Sequence, residues 1–595
     1  VKPAAFRTIG DFALFLESVG ELRRVQEEVD PYLEITEIAR RAIRERRPAL
    51  LFEHVKGSPY PVLVNALASD LRCELALHDH PERLGEELIT FLGDILPPRP
   101  GSVWKHRRLT RRFLSTPVTR VRSGLARQVV EPPNLDLLPI LTCWPDDGGR
   151  FITLPQVITY DPRTRKRNMG MYRMHVFDAA TTGMHWQIQK GGGFHHVQAE
   201  KLGQPLELAV AIGTDPALLM ATIAALPENI DEAMFAGFLR GKRTEFMRGM
   251  SIGIDVPAHA EFILEGVVRP GERRLEGPFG DHFGHYSHAA EFPVYHLTAM
   301  TRKRNPVYPA TVVGIPPMED KFLGDATQLI LGPLARLIHS EITGLWAYYE
   351  AGFHNLLVVA VDQRYGKEAM KTALGLMGMS QLALTKTIVL VSEGVNVRNF
   401  DEVMREVRDH FDPHYDFLLL PKVPLDTLDF TSLTMNLGSK MILDATRKQR
   451  PDVVINRKQR LPSAETLRAV KAEERAIVDI RFAHETLLIV KVREEGRQVV
   501  ERLVRHPALS GVTMLAAVSE DVDIQDRENT IWGIFTRFDC ERDVVFTHQE
   551  MIGISPVYSG VMGIDATWKQ GYPRALTMTE EVRKKVDERW ERMWR

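Results

Sequence analysis

The chain has 595 residues, 44% of them apolar and 26% charged, with 76 Lys and Arg against 78 Asp and Glu for a formal net charge of −2. That length predicts several domains, since single cores stop growing well below it, and the charge balance argues against a dedicated nucleic-acid protein. Three cysteines, Cys73, Cys143 and Cys540, lie far apart with no CxxC pair, which argues against a disulfide framework or a thiolate zinc site and fits a reducing cytosol.

In chain order, "VKPAAFRTIGDFALFLESVGEL" carries acids inside its apolar part and has helical periodicity, so it reads as neither a signal peptide nor a membrane span. No apolar run approaches bilayer length. "IGDFALFLESVG" predicts a helix, "ELRRVQEEV" a strand, "EITEIARRAIRER" a helix, and "ALLFEHV" and "PVLVN" strands, an α/β pattern. The basic run "WKHRRLTRRF" reads as a solvated helix or linker, inside a Pro- and Arg-rich connector from about Leu96 to Pro133. From about Phe151 to Thr311, short strand-like runs ("ITLPQVITYDP", "MGMYRMHVFD", "LELAVAIGTD", "AEFILEGVV", "VYHLTAM") sit between turns, with a helix at "NIDEAMFAGFLRG". This predicts a β-barrel or β-sandwich core.

The last third repeats itself. A segment starting at Leu356, with "TIVLVSEGV" and closing on "GSKMILDATRK", is matched by one starting at Leu487, with "MLAAVSEDV" and closing on "SGVMGIDATWK". Matching order and spacing predict an internal duplication of a strand–helix–strand–helix–strand module. "TEEVRKKVDERWERMWR" predicts a terminal amphipathic helix that can pack on a partner subunit.

The polar groups collect in the middle. Asn168 and Arg173 would face opposite sides of an unbroken strand, and a bend at Gly170 would let both reach one site. In "TTGMHWQIQKGGGFHH", Lys190 and the glycines after it can cradle a phosphate, or form a plain mobile loop. Glu245 lies among cations, where the plain alternative is a surface salt bridge. Asn and Glu oxygens with a phosphate would make a hard-ligand site for Mg²⁺ or Mn²⁺. "EGPFGDHFGHYS" places Glu276 and Asp281 around a Gly-Pro-Phe-Gly spacer. Its HxxH is one residue short of a helical zinc pair and has Gly284 in the way, so a loop with structural histidines is expected.

Together Asn168-x-x-x-x-Arg173, "PENIDEAMFAGFLRGKRTE", "EGPFGDHFGHYS", "YPATVVGIPPMED" and "LGSKMILDATRK" resemble the UbiD family of decarboxylases that use prenylated FMN, up to about Lys448. The second module matches the longer quinone-pathway forms. The resemblance implies a mixed α+β and α/β multidomain fold: an N-terminal α/β domain (1–125), a central split β-barrel binding prenylated FMN (126–325), an α/β domain (326–459), a second module repeating it (460–570) and a terminal helix (571–595). It implies Asn168 and Glu245 as ligands to Mn²⁺ or Mg²⁺, with K⁺ as an optional further ion. Met171, Tyr172, Arg173, His185, Trp186, Gln187, Lys190 and Gly191 would line the flavin, and Arg173, Glu276 and Asp281 would form the catalytic trio. Two departures stand out: Lys190 where some members carry a metal-binding His, and Asp281 where other branches carry Glu.

The implied activity is non-oxidative decarboxylation of a hydroxybenzoate- or naphthoate-type acid, prenylated or not, in ubiquinone or menaquinone synthesis. Close packing of the two acids in an apolar pocket is expected to raise one pKa toward neutrality and make Asp281 the proton donor. The alternatives are a reversible decarboxylase of simple phenolic or heteroaromatic acids, and an inactive flavin-binding assembly protein. Expected partners are a flavin prenyltransferase supplying the cofactor and further copies of the chain, dimer to hexamer. No nucleic acid is expected. The expected location is cytoplasmic, with peripheral membrane contact as an option.

Overall fold

A computed structural model describes residues 6–95, 100–187, 191–226, 230–432, 434–448 and 461–594. The chain divides into two compact units, Val1–Leu331 with Arg574–Arg595, and Gly332–Pro573.

The first unit opens as its periodicity predicts. Helix Ile9–Ser18 is capped by Thr8, whose side chain accepts from Asp11 N, and buries Ile9, Phe12, Ala13 and Leu16. Helix Glu34–Arg44 starts with Glu34 and Glu37 and ends with Arg41 and Arg44, the polarity that suits its dipole. These helices accompany a four-stranded sheet in the order Leu22–Val25, Ala49–Phe52, Val62–Val64 and Tyr308–Pro309. The basic run is the largely solvated helical stretch expected of it, with Trp104, Lys105, Arg107, Arg108 and Arg111 exposed. It forms helices Pro100–Lys105 and Arg107–Phe113, and Arg112 reaches the buried carboxylate of Asp79 at 2.8 Å. Among its Lys and Arg side chains, Arg112 is the one this buried acid draws out of solvent.

The centre is an antiparallel sheet ordered Thr181–Gly183, Ala290–Arg302, Phe262–Glu276, Leu206–Ile212, Gln156–Tyr160 and Arg167–Met171, with Val129–Glu131 added to Ala290–Arg302. Its two end strands do not pair with each other among the described residues. Helix Gly191–Lys201 packs on the strands Arg167–Met171 and Gln156–Tyr160. The three glycines of "KGGG" therefore open a helix rather than a mobile loop.

The terminal helix Glu580–Met593 finds its partner within this unit. Val586, Trp590 and Met593 are buried, the helix lies on Glu34–Arg44, and Arg589 and Lys585 reach Glu34 at 2.5 and 2.8 Å. The amphipathic face expected to suit a partner subunit is covered by the chain itself. Burying a side chain such as Val586 is worth roughly 1.5–3 kcal/mol.

The second unit holds two five-stranded sheets. One runs Ile342–Ala347, Leu357–Val361, Thr387–Ser392, Leu437–Asp444, Phe417–Pro424; the other runs Ile477–Ala483, Leu487–Val492, Met514–Val518, Ser555–Ala566, Val544–Ile552. In both, the outer pairs are antiparallel and the inner two parallel. The repeated words meet in space. Arg447 N donates to Ser392 Oγ at 2.9 Å and Trp568 N to Ser519 Oγ at 2.7 Å, so each "VSE" serine ties down its own "DAT-x-K". Among the described residues no helix is long and apolar enough to cross a membrane.

Candidate active site

"EGPFGDHFGHYS" folds as a hairpin. Glu276 ends the strand Phe262–Glu276, Gly277 turns the chain at φ +88°, and Phe279 and Gly280 pair with Ser287 and Tyr286. The reversal closes through Asp281 N donating to His285 O at 3.0 Å and Gly284 N to Asp281 O at 2.9 Å. Both acids therefore sit at fixed stations on one short ribbon.

Arg173 reaches both. Its Nε and Nη2 donate to the two oxygens of Glu276 at 2.9 and 3.1 Å, Nη1 donates to Asp281 Oδ2, and Nη2 also donates to Ser287 Oγ at 2.8 Å. The guanidinium lies 4.9 Å over the Phe279 ring, which packs one of its faces. His185 Nδ1 lies 3.1 Å from Glu276 Oε2. Glu276 is fully buried. Burial pushes its pKa up, but the charge of Arg173 and the His185 contact outweigh that and bring it to about 2.

Asp281 does not show the raised pKa expected of a ready acid. Burial raises it, yet the hydrogen bond and charge of His282, followed by the charge of Arg173, hold it well below the usual carboxylate range. His282 Nδ1 lies 2.6 Å from Asp281 Oδ1. The expectation failed because it counted two acids in an apolar pocket and left out the cation between them and the histidine beside them. His282, expected to be a structural loop residue, is a direct partner of the proposed proton donor. Its adjacency to Asp281 was the available signal. Ser287 and Asp147 were missed as well; Asp147 Oδ1 accepts from Gly280 N at 2.7 Å.

The strand bearing Asn168 ends at Met171, so the turn falls at Tyr172 and Arg173 rather than at Gly170. Gly170 instead backs onto the Tyr172 ring, where a Cβ would stand 2.3 Å from its hydroxyl. Gly192 N donates to Tyr172 Oη at 3.3 Å, and burial pushes that phenol up to about 12. Gly191 sits so close to Asn168 that a Cβ there would stand 2.0 Å from Oδ1. Trp186 stacks on His196 with centroids 4.7 Å apart. Met171 closes the strand register opposite Gln156, and Gln187 follows Trp186. Lys190 lies outside the described residues.

Three buried nitrogens here, Asn168 Nδ2, His185 Nε2 and Trp186 Nε1, have no hydrogen-bond partner among the described residues. Orphaned buried polar groups are costly unless a bound group uses them. With the glycine cradle against Asn168, they fit a polar, planar cofactor carrying a phosphate.

Glu245 starts the strand Glu245–Arg248, and its Oε2 lies 2.7 Å from His259 Nε2. That contact, more than any other, holds its pKa below the ordinary value. The sequence neighbours of the two expected metal ligands touch: the Arg167 guanidinium lies 4.1 Å over the Phe246 ring. No group of three or more His, Cys, Asp or Glu placed to hold a metal occurs among the described residues.

Comparison with known proteins gives the frame for this geometry. Family profiles match residues 13–92, 119–316, and 321–445 with 460–566, described respectively as the N-terminal, Rift-related and C-terminal domains of 3-octaprenyl-4-hydroxybenzoate carboxy-lyase. A Chlamydia pneumoniae protein, named as one of the subunits of a 4-hydroxybenzoate decarboxylase, is 35% identical over 94% of each chain. An uncharacterized protein of Archaeoglobus fulgidus is 45% identical over 76% of this chain and 95% of its own. Vanillic acid decarboxylase of Sedimentibacter hydroxybenzoicus superposes with a TM-score of 0.68 at 26% identity, over 79% of this chain and 99% of that one. The UbiD-class enzyme HmfF of Pelotomaculum thermopropionicum, in complex with FMN, gives 0.63 at 27%, over 75% and 95%.

Proposed function

This chain belongs to the UbiD family of carboxy-lyases, and from that premise we propose that it decarboxylates a hydroxybenzoate- or naphthoate-type acid in ubiquinone or menaquinone synthesis. The carrying observation is the Arg173–Glu276–Asp281 cluster together with three orphaned buried nitrogens. Loss of CO₂ leaves an electron pair on a ring carbon, and prenylated FMN, when bound, supplies an electrophilic carbon that can take it up. Asn168 and Glu245 would hold its phosphate through Mn²⁺ or Mg²⁺, and Tyr172, His185, Trp186, Gln187, Lys190 and Gly191 would line it.

The chain's own groups do the rest. Glu276, held by Arg173 and His185, stays ionised and fixes the guanidinium. Asp281 takes up a proton as an anionic substrate enters, because added negative charge and lost water raise a carboxyl pKa. It then delivers that proton to the carbon that lost CO₂. His282 is placed to pass the proton in.

A second reading, reversible decarboxylation of simple phenolic acids, is favoured by the 4-hydroxybenzoate decarboxylase name of the Chlamydia pneumoniae relative and by the likeness to vanillic acid decarboxylase. The finer architecture belongs to the same proposal: boundaries at 125, 325, 459 and 570, a split β-barrel at the centre, and a duplicated module supported by the shared strand order. So do a cytoplasmic setting and assembly with further copies of the chain. The test is production alongside a flavin prenyltransferase, with flavin spectra, metal analysis and a panel of aromatic acids. Turnover of prenylated hydroxybenzoates or naphthoates supports the first reading and turnover of simple phenolic acids the second; a bound flavin without turnover of any acid points to an assembly protein.

A further inference from the structure

The segment "CWPDDGG", Cys143–Gly149, forms the floor beneath the acid-bearing hairpin. Asp147 Oδ1 accepts from Gly280 N at 2.7 Å, while Oδ2 accepts from Cys143 N and Trp144 N at 3.0 and 2.9 Å. Gly148 N donates to Pro278 O at 2.8 Å. The fit leaves no slack: a Cβ on Gly148 would stand 2.2 Å from Gly277 O, and one on Gly280 would stand 2.2 Å from Trp144 Cδ1. Trp144 is in turn fixed by its Nε1 donating to Val313 O at 2.9 Å. The peptide leading into Asp281 is therefore hung on one half-buried carboxylate.

We propose that Asp147 is a positioning residue for the reaction: by accepting the Gly280 N–H it sets the station of Asp281 under Arg173. Its kinetic consequence rests on the decarboxylase reading, but the anchor itself does not. Protonation would weaken the anchor, since a neutral carboxyl accepts the three N–H bonds less strongly than a carboxylate does. Burial lifts Asp147 to about 7 even though those donors and the charge of Arg173 pull it down. The titratable groups around this segment are Arg173, Cys143, Tyr286, Asp146 and His175; His175 accepts from Gly277 N at 3.3 Å, and burial holds it below its ordinary value. Arg173 keeps its proton throughout, and burial pushes both the thiol and the phenol upward, so neither titrates near pH 7. As pH falls through about 7, Asp147 gains a proton, the Gly280 contact loosens and kcat falls.

The test compares wild type and Asp147→Asn, both loaded with cofactor. An amide offers one accepting oxygen and an NH₂ that cannot accept, so one set of donors loses its partner. Expected are an unchanged flavin spectrum, a KM close to wild type and a kcat reduced about 10- to 100-fold, the scale of a misplacement near 1 Å. The acid limb near pH 7 should vanish, and amide exchange across Phe279–Ser287 should quicken. Unchanged exchange, or a surviving limb with wild-type kcat, would overturn the proposal. If Asp147→Asn does not fold, Asp147→Glu decides: it keeps the carboxyl and should keep the limb with lowered kcat, whereas wild-type kcat would overturn the anchor. If wild type turns over no acid, the decarboxylase reading fails alone, and the exchange comparison still judges Asp147.

Discussion

The Arg173–Glu276–Asp281 cluster and the two "DAT-x-K" clusters are all buried ion-pair networks, yet they differ in how completely they are satisfied. Asp444 and Asp565 are nearly as buried as Glu276. Each carboxylate accepts from the backbone N–H and hydroxyl of the threonine two residues on, and each backbone carbonyl accepts from the lysine four on, at 2.9 Å in both modules. Such closed local circuits specify a turn. Around Glu276 the accounting stays open, with His185 Nε2, Trp186 Nε1 and Asn168 Nδ2 lacking partners among the described residues. The unused hydrogen-bonding capacity beside its charges is what sets the Arg173 cluster apart from the two turn circuits.

The sharpest way to break that contrast is at its reactive end. Asp281→Asn is expected to keep the flavin spectrum and lower kcat by about 10³-fold, within the range for general acid catalysis; normal turnover would end its proton-donor role. Asn168→Ala and Glu245→Ala should each lose bound metal and flavin together, read by metal analysis and absorption. Either variant retaining both would refute the metal assignment. Glu276 gives an acid-stability test. Its carboxyl sits at about 2 in the fold against an ordinary 4.5, so its stabilisation is fully present above pH 4.5 and is lost as pH falls toward 2. That is on the order of 3 kcal/mol. Urea unfolding at pH 6 and pH 3 should show it in wild type and show a smaller pH difference in Glu276→Gln.

What the sequence revealed follows the same division. Patterns that alternate were legible: the N-terminal helices and strands, and the acids around the spacer. The ionisation of Asp281 was not, because it depends on Arg173, 108 residues away in sequence, and on the rotamer of His282. Nor was the docking of helix Glu580–Met593 on Glu34–Arg44, since an amphipathic face does not say whose surface covers it. Asp147 was invisible for a related reason: its importance lies in a backbone N–H on a distant hairpin, and backbone donors leave no mark in composition.

The smallest effects come from the two modules themselves, which are alike but not equal. In the first, Asp444 is paired with both Lys448 and Lys367, at 3.2 and 3.0 Å. In the second, Lys569 reaches Asp565 and Asp543 at 3.4 Å each, and the position matching Lys367, a left-handed residue capping the next helix, is Glu495. Removing Lys569 should therefore leave two buried carboxylates without a lysine, while removing Lys448 leaves Asp444 with one. Breaking a buried pair costs roughly 3–5 kcal/mol and an exposed one at most about 1; both lysines are partly exposed, which reduces the cost. Lys569→Met is expected to destabilise by about 2 kcal/mol and Lys448→Met by about 1, in urea titrations at pH 7. Both should keep wild-type kcat, because these circuits hold a turn. Equal losses would mean that Lys367 gives Asp444 no support, and a kcat loss in either would mean that the closed networks also serve the reaction.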